Sequence, residues 1–582
     1  MATAAERYAA SRQRGAHPKL TAFANAAPFG LDEFQLAAGR ALEDGKSVLV
    51  AAPTGAGKTI VGEFAVALAL EAGSKCFYTT PIKALSNQKF HELTARYGSD
   101  RVGLLTGDNS INGDADVVVM TTEVLRNMLY AGSSTLANLD FVVMDEVHYL
   151  ADRYRGAVWE EVIIHLPDRV QVAALSATVS NAEEFGAWLT AVRGDTEIIV
   201  EELRPVPLWQ HVMAGSRLYD LFVDDDQEVL NPALVQLARD DERSTKYGGY
   251  RPARGKRRPR SQHTPYRTDV IEKLSREHLL PVIYFIFSRA ACNDAVRQCI
   301  DAGVRLTSRE AKAEILQIVA ERTSAIPVED LAVLGYTEWV EGLGRGVAAH
   351  HAGMLPTFKE VVEELFQRGL VQCVFATETL ALGINMPARS VVLEKLVKWN
   401  GETHVEITPG EYTQLTGRAG RRGIDVEGHG VVLWHPGLEP NALAGLASTR
   451  TYPLRSSFVP TYNMAVNLVA SLGFTSAREV LETSFAQFQA DAAVVGLARE
   501  LRKSEESMAG YAESMTCHLG DMAQYSAIRR ELSDREKATV RDGNQRKRRE
   551  VIASLAQLRP GDIIVIPSGR RTGPVLVLDP GL

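Results

Sequence analysis

Ala52-Pro53-Thr54-Gly55-Ala56-Gly57-Lys58-Thr59 lies between the apolar run Val48-Leu49-Val50 and the apolar stretch at residues 60–70. A strand that passes through a Gly-rich turn into a helix is an arrangement that cradles phosphates. Gly55 and Gly57 let the backbone close on a β-phosphate, and the helix N-terminus adds the positive end of its dipole. Pro53, Thr54 and Ala56 complete the loop, Lys58 is placed to reach the β- and γ-oxygens, and Thr59 is placed to ligate magnesium. Ala52 stands where such loops commonly carry glycine, and its methyl group fits if φ is negative. The segment predicts a site for ATP and magnesium in an α/β domain.

Outward from this loop, apolar runs alternate with helical stretches. Cys76-Phe77-Tyr78, Val117-Val118-Val119-Met120, Phe141-Val142-Val143-Met144 and Val172-Ala173-Ala174-Leu175 follow in turn. Each run is unbroken and ends just before a polar or Gly-rich motif. Strands buried on both faces of a parallel sheet read this way, with functional loops at their carboxyl ends. A second series holds Val282-Ile283-Tyr284-Phe285-Ile286-Phe287, Val371-Gln372-Cys373-Val374-Phe375, Ser390-Val391-Val392-Leu393 and Gly430-Val431-Val432-Leu433. Two α/β domains in tandem are the simplest reading, and 582 residues exceed what one core can organise.

Asp145-Glu146-Val147-His148 follows the Phe141 run, so its carboxylates sit at a strand end in the same sheet as the P-loop. Asp145 is expected to hold magnesium, partly through water, and Glu146 to orient and deprotonate the attacking water. Gln414-Leu415-Thr416-Gly417-Arg418-Ala419-Gly420-Arg421-Arg422 comes after three strands of the second series. Arg418 and Arg421 are three apart, so in a helix they would share a face and could both point at a γ-phosphate. Alone, an acidic pair after a strand is usually a solvated turn, and a basic helix start is usually a solvated face. In this order on one chain, with Gln414 ahead of the arginines, they read as an ATP site split between two domains.

The bulk composition is that of an ordinary globular protein, with 45% hydrophobic and 23% charged residues and a net charge of −8. That charge does not itself point to nucleic acid, although a basic groove on an acidic body attracts phosphates locally. Residues 243–267 are rich in Arg, Lys, Gly, Pro and Tyr, and read equally well as a solvated linker or a nucleic-acid tether. The five cysteines form no C-x-x-C pair, so neither a zinc site nor a disulfide framework is indicated. No apolar stretch reaches membrane-spanning length and residues 1–19 do not read as a secretory signal, which points to the cytoplasm. His350-His351 has no Cys or carboxylate at ligand spacing, so a structural turn is the better reading than a metal site.

The series as a whole resembles the superfamily 2 DExH-box helicases. The residues that carry this are Phe29 and Gln35, Pro81-Ile-Lys-Ala-Leu, Thr106-Gly-Asp, Thr121-Thr-Glu, Ser176-Ala-Thr, Phe287-Ser-Arg, the run from Ala376 through Gly383-Ile-Asn385-Met-Pro387, and the Gln414 segment. Within that superfamily the chain resembles the superkiller-like branch, which includes exosome-associated RNA helicases and actinobacterial HelY-type proteins. His350-His351-Ala-Gly-Met-Leu-Pro, Lys398-Trp399-Asn400-Gly401, Pro460-Thr-Tyr-Asn-Met464 and Ser484-Phe-Ala-Gln-Phe-Gln489 carry that narrower likeness. The resemblance implies two RecA-like domains and an adenine-recognising pair, Phe29 and Gln35, with Gly383 and Asn385 also on the nucleotide. It implies nucleic-acid contacts at Thr80, Pro81, Thr106, Gly107, Thr122, Thr377 and Trp399, and coupling through His148, Ser176 and Thr178. A hairpin around Asn400-Gly401 would separate strands.

The implied organisation is an N-terminal extension (1–27), a first RecA-like domain (28–205), a connector with the basic insertion (206–280) and a second RecA-like domain (281–436). A winged-helix domain (437–490), one long stalk helix (491–557) and the start of a small β arch domain (558–582) follow. Family members continue through a returning stalk helix and a ratchet bundle, so the sequence is expected to stop inside the arch, with ATP hydrolysis intact and sustained unwinding lessened. The implied activity is 3′-to-5′ nucleic-acid translocation by a monomer, with the arch open to protein partners. The resemblance favours RNA, but the 2′-OH contacts that separate it from DNA are invisible in sequence. A DNA helicase and an ATP-regulated clamp or scaffold are the alternatives.

Overall fold

Each of the five apolar runs ahead of residue 180 becomes a strand of one sheet. In the computed structural model the described residues are 15–153, 155–247, 263–380, 386, 388–399, 403–449, 451, 453–494, 504, 507–508, 516–517, 520–566 and 572–580. The first sheet holds β1 (Ser47–Ala51), β2 (Lys75–Thr80), β3 (Val102–Leu105), β4 (Ser110–Ile111), β5 (Val117–Thr121), β6 (Leu139–Met144), β7 (Gln171–Ser176) and β8 (Thr196–Val200). Their order is β4-β3-β5-β2-β6-β7-β1-β8, with every neighbouring pair parallel except β3 with β4. Successive side chains enter opposite cores. Val48 and Val50 join Tyr78, Val143 and Leu175 on one face, while Leu49 and Ala51 join Phe77, Val142 and Trp159 on the other. Helices on both faces are the reason these strands show no polar alternation.

The second sheet is built from β9 (Leu208–Ala214), β10 (Arg217–Asp220), β11 (Val282–Phe285), β12 (Val347–His350), β13 (Cys373–Ala376) and β14 (Ser390–Leu393). A separate hairpin, β15 (Val397–Trp399) with β16 (His404–Glu406), leads to the last strand, β17 (Gly428–Leu433). The order is β10-β9-β17-β14-β11-β13-β12. This corrects the expected connector at 206–280. β9 pairs in parallel with β17 from Leu208 opposite Gly428 to Met213 opposite Leu433, and β10 turns back antiparallel beside it. Gln210 and His211 interrupt the apolar run of β9 and hid it. Gln210 is nonetheless buried, its Oε1 accepting from the Tyr412 hydroxyl at 2.7 Å. The basic cluster at 254–260 lies outside the described residues.

Residues 437–490 were expected to form a winged helix. Among the described residues this segment is helical, with Pro440–Ser448 and Tyr462–Glu482 and no strand to serve as a wing. The latter helix breaks at Gly473, where φ is 81°. Phe485 is fully buried among Phe185 and Trp188, at ring distances of 5.2 and 5.3 Å, and Trp188 Nε1 donates to Thr483 O at 2.8 Å. The segment thereby completes a core of the first α/β domain. Glu160, fully buried, is the polar anchor: it accepts from Ser456 Oγ, Phe485 N at 2.8 Å and Ala486 N at 3.4 Å.

Burial lifts the Glu160 carboxyl to about 7, against the lowering effect of these donors and with neighbouring Glu161 adding to the rise. Because the folded state holds this proton more tightly than the unfolded state, the associated stability is present below the ordinary carboxylate range and is lost as pH climbs through about 7. Glu160→Gln is expected to remove a pH-dependent loss of about 3 kcal/mol across that window. Glutamine can offer its oxygen to the two amides and its NH2 to the Ser456 hydroxyl. The check is the denaturation midpoint of both proteins as a function of pH. Parallel profiles would contradict the assignment.

Residues Ala490–Leu582 form a second unit. It was expected to carry one helix over 491–557, but its long helix is Met522–Leu555, preceded by the paired strands Thr516–Cys517 and Gly520–Asp521. Gly520 is a weak helix former, and the helix begins two residues after it. Ile563–Ile566 and Gly573–Leu576 then pair antiparallel. Among the described residues no helix is long and apolar enough to cross a membrane.

Candidate active site at the seam between the two sheets

β1, β6 and β7 are neighbours, so their carboxyl ends deliver the P-loop, Asp145-Glu146 and Ser176-Ala177-Thr178 to one place. The loop leaves β1 through Ala52, whose N–H still bonds Ser176 O at 3.1 Å and whose φ is negative, so the methyl group is accommodated. Gly55 and Gly57 adopt φ of 84° and 90°. Nothing lies within 4 Å of a Cβ built at Gly55, whereas one at Gly57 would meet Gln35 Nε2 at 2.9 Å and Arg422 Nη1 at 3.0 Å. The φ of 90° favours glycine at 57, and any side chain there would also have to displace the ends of those two. Lys58 Nζ donates to Ala52 O at 2.7 Å and Pro53 O at 3.0 Å, and burial lowers its pKa against the opposing pull of Glu146 and Asp145.

Gln35 is locked before any ligand is considered. Its Oε1 accepts from Asp32 N at 2.8 Å in a capping box for the helix Glu33–Glu43, and its Nε2 donates to Gly57 O at 2.9 Å. Phe29 is exposed just upstream.

Asp145 is buried, accepting from the Tyr78 hydroxyl at 3.0 Å, and burial beside Glu146 raises it to about 6 despite Lys89 and Lys58. Glu146 occupies the left-handed region at φ 54°, a conformation that costs a non-glycine residue about 1 kcal/mol or more. It turns the chain into the short 3-10 segment Val147–Ala151. His148 Nδ1 accepts from Ala177 N at 3.2 Å and lies 3.4 Å from Glu146. Burial, with Lys58 nearby, depresses His148 to about 3, so it is neutral. Its Nε2 faces the Gln414 amide nitrogen at 2.8 Å across the seam.

The Gln414 segment reaches this site from the second domain in a different way from that expected. The helix is Pro409–Thr416 and ends at Gly417, and Gly420 sits at φ 83°, so Arg418 and Arg421 do not share a helical face. Arg418 is half-buried in the field of Glu146 and Tyr149, and desolvation lowers its pKa without removing its charge. Arg421 is instead held by Asp425, through Nε at 2.7 Å and Nη2 at 2.8 Å. Arg422 crosses to the first domain, where Nη1 donates to Ala56 O at 2.6 Å and Nη2 lies 2.7 Å from the Asp32 carboxylate. Arg204 Nη2 donates to the carbonyls of Gly417 (3.2 Å) and Ala419, and so supports the same turn. Sequence reading did not single out Arg422, Arg204 or Asp32. Arg422 stood in the quoted motif, and the Asp32-to-Gln35 spacing is a cap signature.

The expected nucleic-acid residues divide. Thr80 and Thr122 are fully buried, with Thr80 Oγ1 bonded to Ser86 Oγ and Ile82 O and Thr122 Oγ1 to Thr80 O, so they shape loops instead of presenting hydroxyls. Pro81 is buried too. Thr106 closes a small turn on Asn109, Gly107 is exposed beside it, Thr377 is half-buried, and Trp399 is 55% exposed on β15. Ser176 and Thr178 are buried at the end of β7. Gly383, Asn385 and Asn400-Gly401 lie outside the described residues. His350 bonds Glu363 at 2.7 Å and His351 bonds Asn293 at 3.0 Å, as a structural turn requires. No group of three or more His, Cys, Asp or Glu among the described residues could hold a metal ion.

A DEAD/DEAH box helicase family model matches residues 32–185, a helicase conserved C-terminal domain model matches 300–423, and a HelY-like SH3 domain model matches 549–582. Probable helicase HelY of Mycobacterium tuberculosis is 58% identical over 567 residues, covering 96% of this chain and 63% of that protein. Superkiller complex protein 2 of Homo sapiens is 36% identical over 556 residues, covering 92% of this chain and 43% of that protein. Exosome RNA helicase MTR4 of Homo sapiens is 36% identical over 501 residues, covering 84% and 46%. The chain thus spans less than two thirds of the length of these curated relatives. With its two parallel sheets, its split phosphate site and these likenesses, the chain belongs to the superfamily 2 DExH-box helicases, in the superkiller-like branch with the HelY-type proteins.

Proposed function

We propose that this chain is an ATP-dependent nucleic-acid motor acting on RNA with 3′-to-5′ polarity, in which hydrolysis at the seam between two RecA-like domains drives strand movement and unwinding. The observation that carries the proposal is the set of contacts across the seam: Gln414 on His148, Arg422 on Ala56 and Asp32, and Arg418 half-buried in the field of Glu146. Hydrolysis chemistry and interdomain geometry depend on the same side chains, which is what a motor requires. The donor set fits magnesium-bound ATP, since Thr59 and Asp145 are hard oxygen ligands and the space at Gly55 is open for a phosphate. The bound magnesium would neutralise phosphate charge.

In this reading Lys58 and Arg418 hold the β- and γ-phosphates, and Glu146 takes the proton of the attacking water. Neutral His148 relays the position of Glu146 to Gln414 and to the Ser176-Ala177-Thr178 loop. Gln35 reads the base edge while Phe29 covers its face. Thr106, Gly107, Thr377 and Trp399 line the strand, with Thr80, Pro81 and Thr122 supporting their loops. Contacts of this kind give affinity with little sequence preference. RNA is favoured because two relatives are named as an exosome RNA helicase and a superkiller complex protein. Four buried cysteines without a disulfide fit a reducing cytoplasm, and the terminal β-domain offers a surface for protein partners to a monomeric motor.

The test is steady-state ATP turnover with matched RNA and DNA strands, followed by unwinding of 3′- and 5′-tailed duplexes. RNA is expected to stimulate turnover more than DNA. Turnover indifferent to both would sink the motor reading, and greater stimulation by DNA would reassign the substrate.

A further inference from the structure

Lys398 ends on two carboxylates from separate parts of the second domain. Its ammonium donates to Glu378 Oε1 at 2.5 Å and to Glu411 Oε1 at 2.6 Å, and its side chain is only 15% exposed. Glu378 follows Thr377 at the end of β13 and opens the 3-10 turn Glu378–Leu380. Glu411 sets the start of the helix Pro409–Thr416. Its Oε2 accepts from Thr408 N at 2.8 Å while its own N–H donates to Thr408 Oγ1 at 3.3 Å, a reciprocal cap. That two-turn helix carries Gln414, which meets His148, and His148 lies 3.4 Å from Glu146.

On its other side Lys398 belongs to the exposed hairpin. Consecutive strand residues point to opposite faces, so β15 turns Trp399 outward, edge-on to His404, while Lys398 points in toward the two carboxylates. A base stacked on an exposed indole is a common way to hold a single strand. One short strand therefore joins a stacking surface to the residue that seats the Gln414 helix.

We propose that Lys398 is a positioning residue that couples a single strand on the Trp399 hairpin to the hydrolytic carboxylate, by fixing the seat of the helix Pro409–Thr416 and through it the Gln414–His148 contact. This deepens the motor reading and rests on it. Without the ammonium, Glu378 and Glu411 repel across a half-buried space, and the hairpin loses its tie to the helix start. The two-turn helix itself is retained, because the Thr408–Glu411 cap does not involve the lysine.

The experiment is ATP turnover by the 582-residue chain with and without oligouridylate, for wild type and Lys398→Met. Turnover without oligouridylate is expected to stay within about twofold of wild type while the stimulated component falls roughly tenfold. Oligouridylate affinity, read by fluorescence anisotropy, should change by less than about threefold, and Lys398→Arg should restore most of the stimulation. In a double-mutant cycle, adding Trp399→Ala to Lys398→Met should cost little more than the worse single change. Full stimulation in Lys398→Met overturns the coupling, as does a parallel fall of both rates that Lys398→Arg fails to rescue. If Lys398→Met does not fold, Glu411→Gln keeps the cap oxygen and removes the charge. It should show the same split, and full stimulation there overturns the proposal equally. A wild-type chain that neither oligouridylate nor oligothymidylate stimulates fails the motor reading itself, before any variant is compared.

Discussion

Glu146→Gln is expected to lower the turnover number for ATP hydrolysis by about 10²- to 10⁴-fold, the usual contribution of a positioned general base. Nucleotide affinity should remain within a few-fold, because Lys58, Thr59 and the P-loop are untouched. The substitution is isosteric, and the contact that places residue 146 is the bond from its own N–H to Asp145 Oδ1 at 3.0 Å, which glutamine preserves. The strained φ of 54° is a property of the turn from β6 into Val147–Ala151 and is also retained. His148 offers no substitute base, since burial depresses it to about 3 and its Nδ1 faces the Ala177 N–H and its Nε2 Gln414. The measurement is turnover at saturating ATP and RNA alongside a nucleotide dissociation constant. A variant that hydrolyses ATP within a few-fold of wild type would remove Glu146 from the role of base.

Arg418→Ala is expected to reduce turnover by roughly 10³-fold or more, as loss of an arginine supplied across a domain boundary does in other phosphoryl-transfer sites. Arg418 is half-buried and its charge lies in the field of Glu146, so its removal takes positive charge from the place where negative charge grows on the γ-phosphate. Arg418→Lys should not rescue, because a compact ammonium cannot reproduce the planar guanidinium fork. Arg421→Ala is the instructive contrast. Its guanidinium is held bidentately by Asp425, so its loss acts through the turn of residues 417–425 and should cost less. Turnover and nucleotide affinity for the three variants check the order. An Arg421→Ala defect equal to that of Arg418→Ala would restore the view that both arginines meet the phosphate.

Much of this was open to sequence reading. Val48-Leu49-Val50, Val117 to Met120 and Phe141 to Met144 were legible as strands covered on both faces, because they are short, rich in valine and followed at once by polar or Gly-rich motifs. The P-loop and Asp145-Glu146 were legible because their chemistry depends on residues adjacent in the chain. β9 was not legible, because Gln210 and His211 break its apolar pattern; the Tyr412 hydroxyl satisfies buried Gln210, Asp220 and His429 satisfy half-buried His211, and β17 lies alongside. How the helical segment at 437–490 packs was not legible for a related reason. Its anchor, Glu160, lies some 300 positions earlier in the chain than the Phe485 amide it accepts from.

The division between arginines shows the same limit at the active site. Spacing alone made Arg418 and Arg421 partners, since three residues apart means one face in any helix. Local order along the chain was thus sufficient for the sheet class, the phosphate loop, the acidic pair and the membership of the Gln414 segment in one split site. It was insufficient to say which guanidinium faces Glu146, which pairs with Asp425 and which crosses to Asp32 and Ala56. Those choices follow from where the helix stops at Gly417 and from which carboxylates and carbonyls the docked domains present there. These contacts join residues hundreds of positions apart, and only the folded chain brings them within bonding distance.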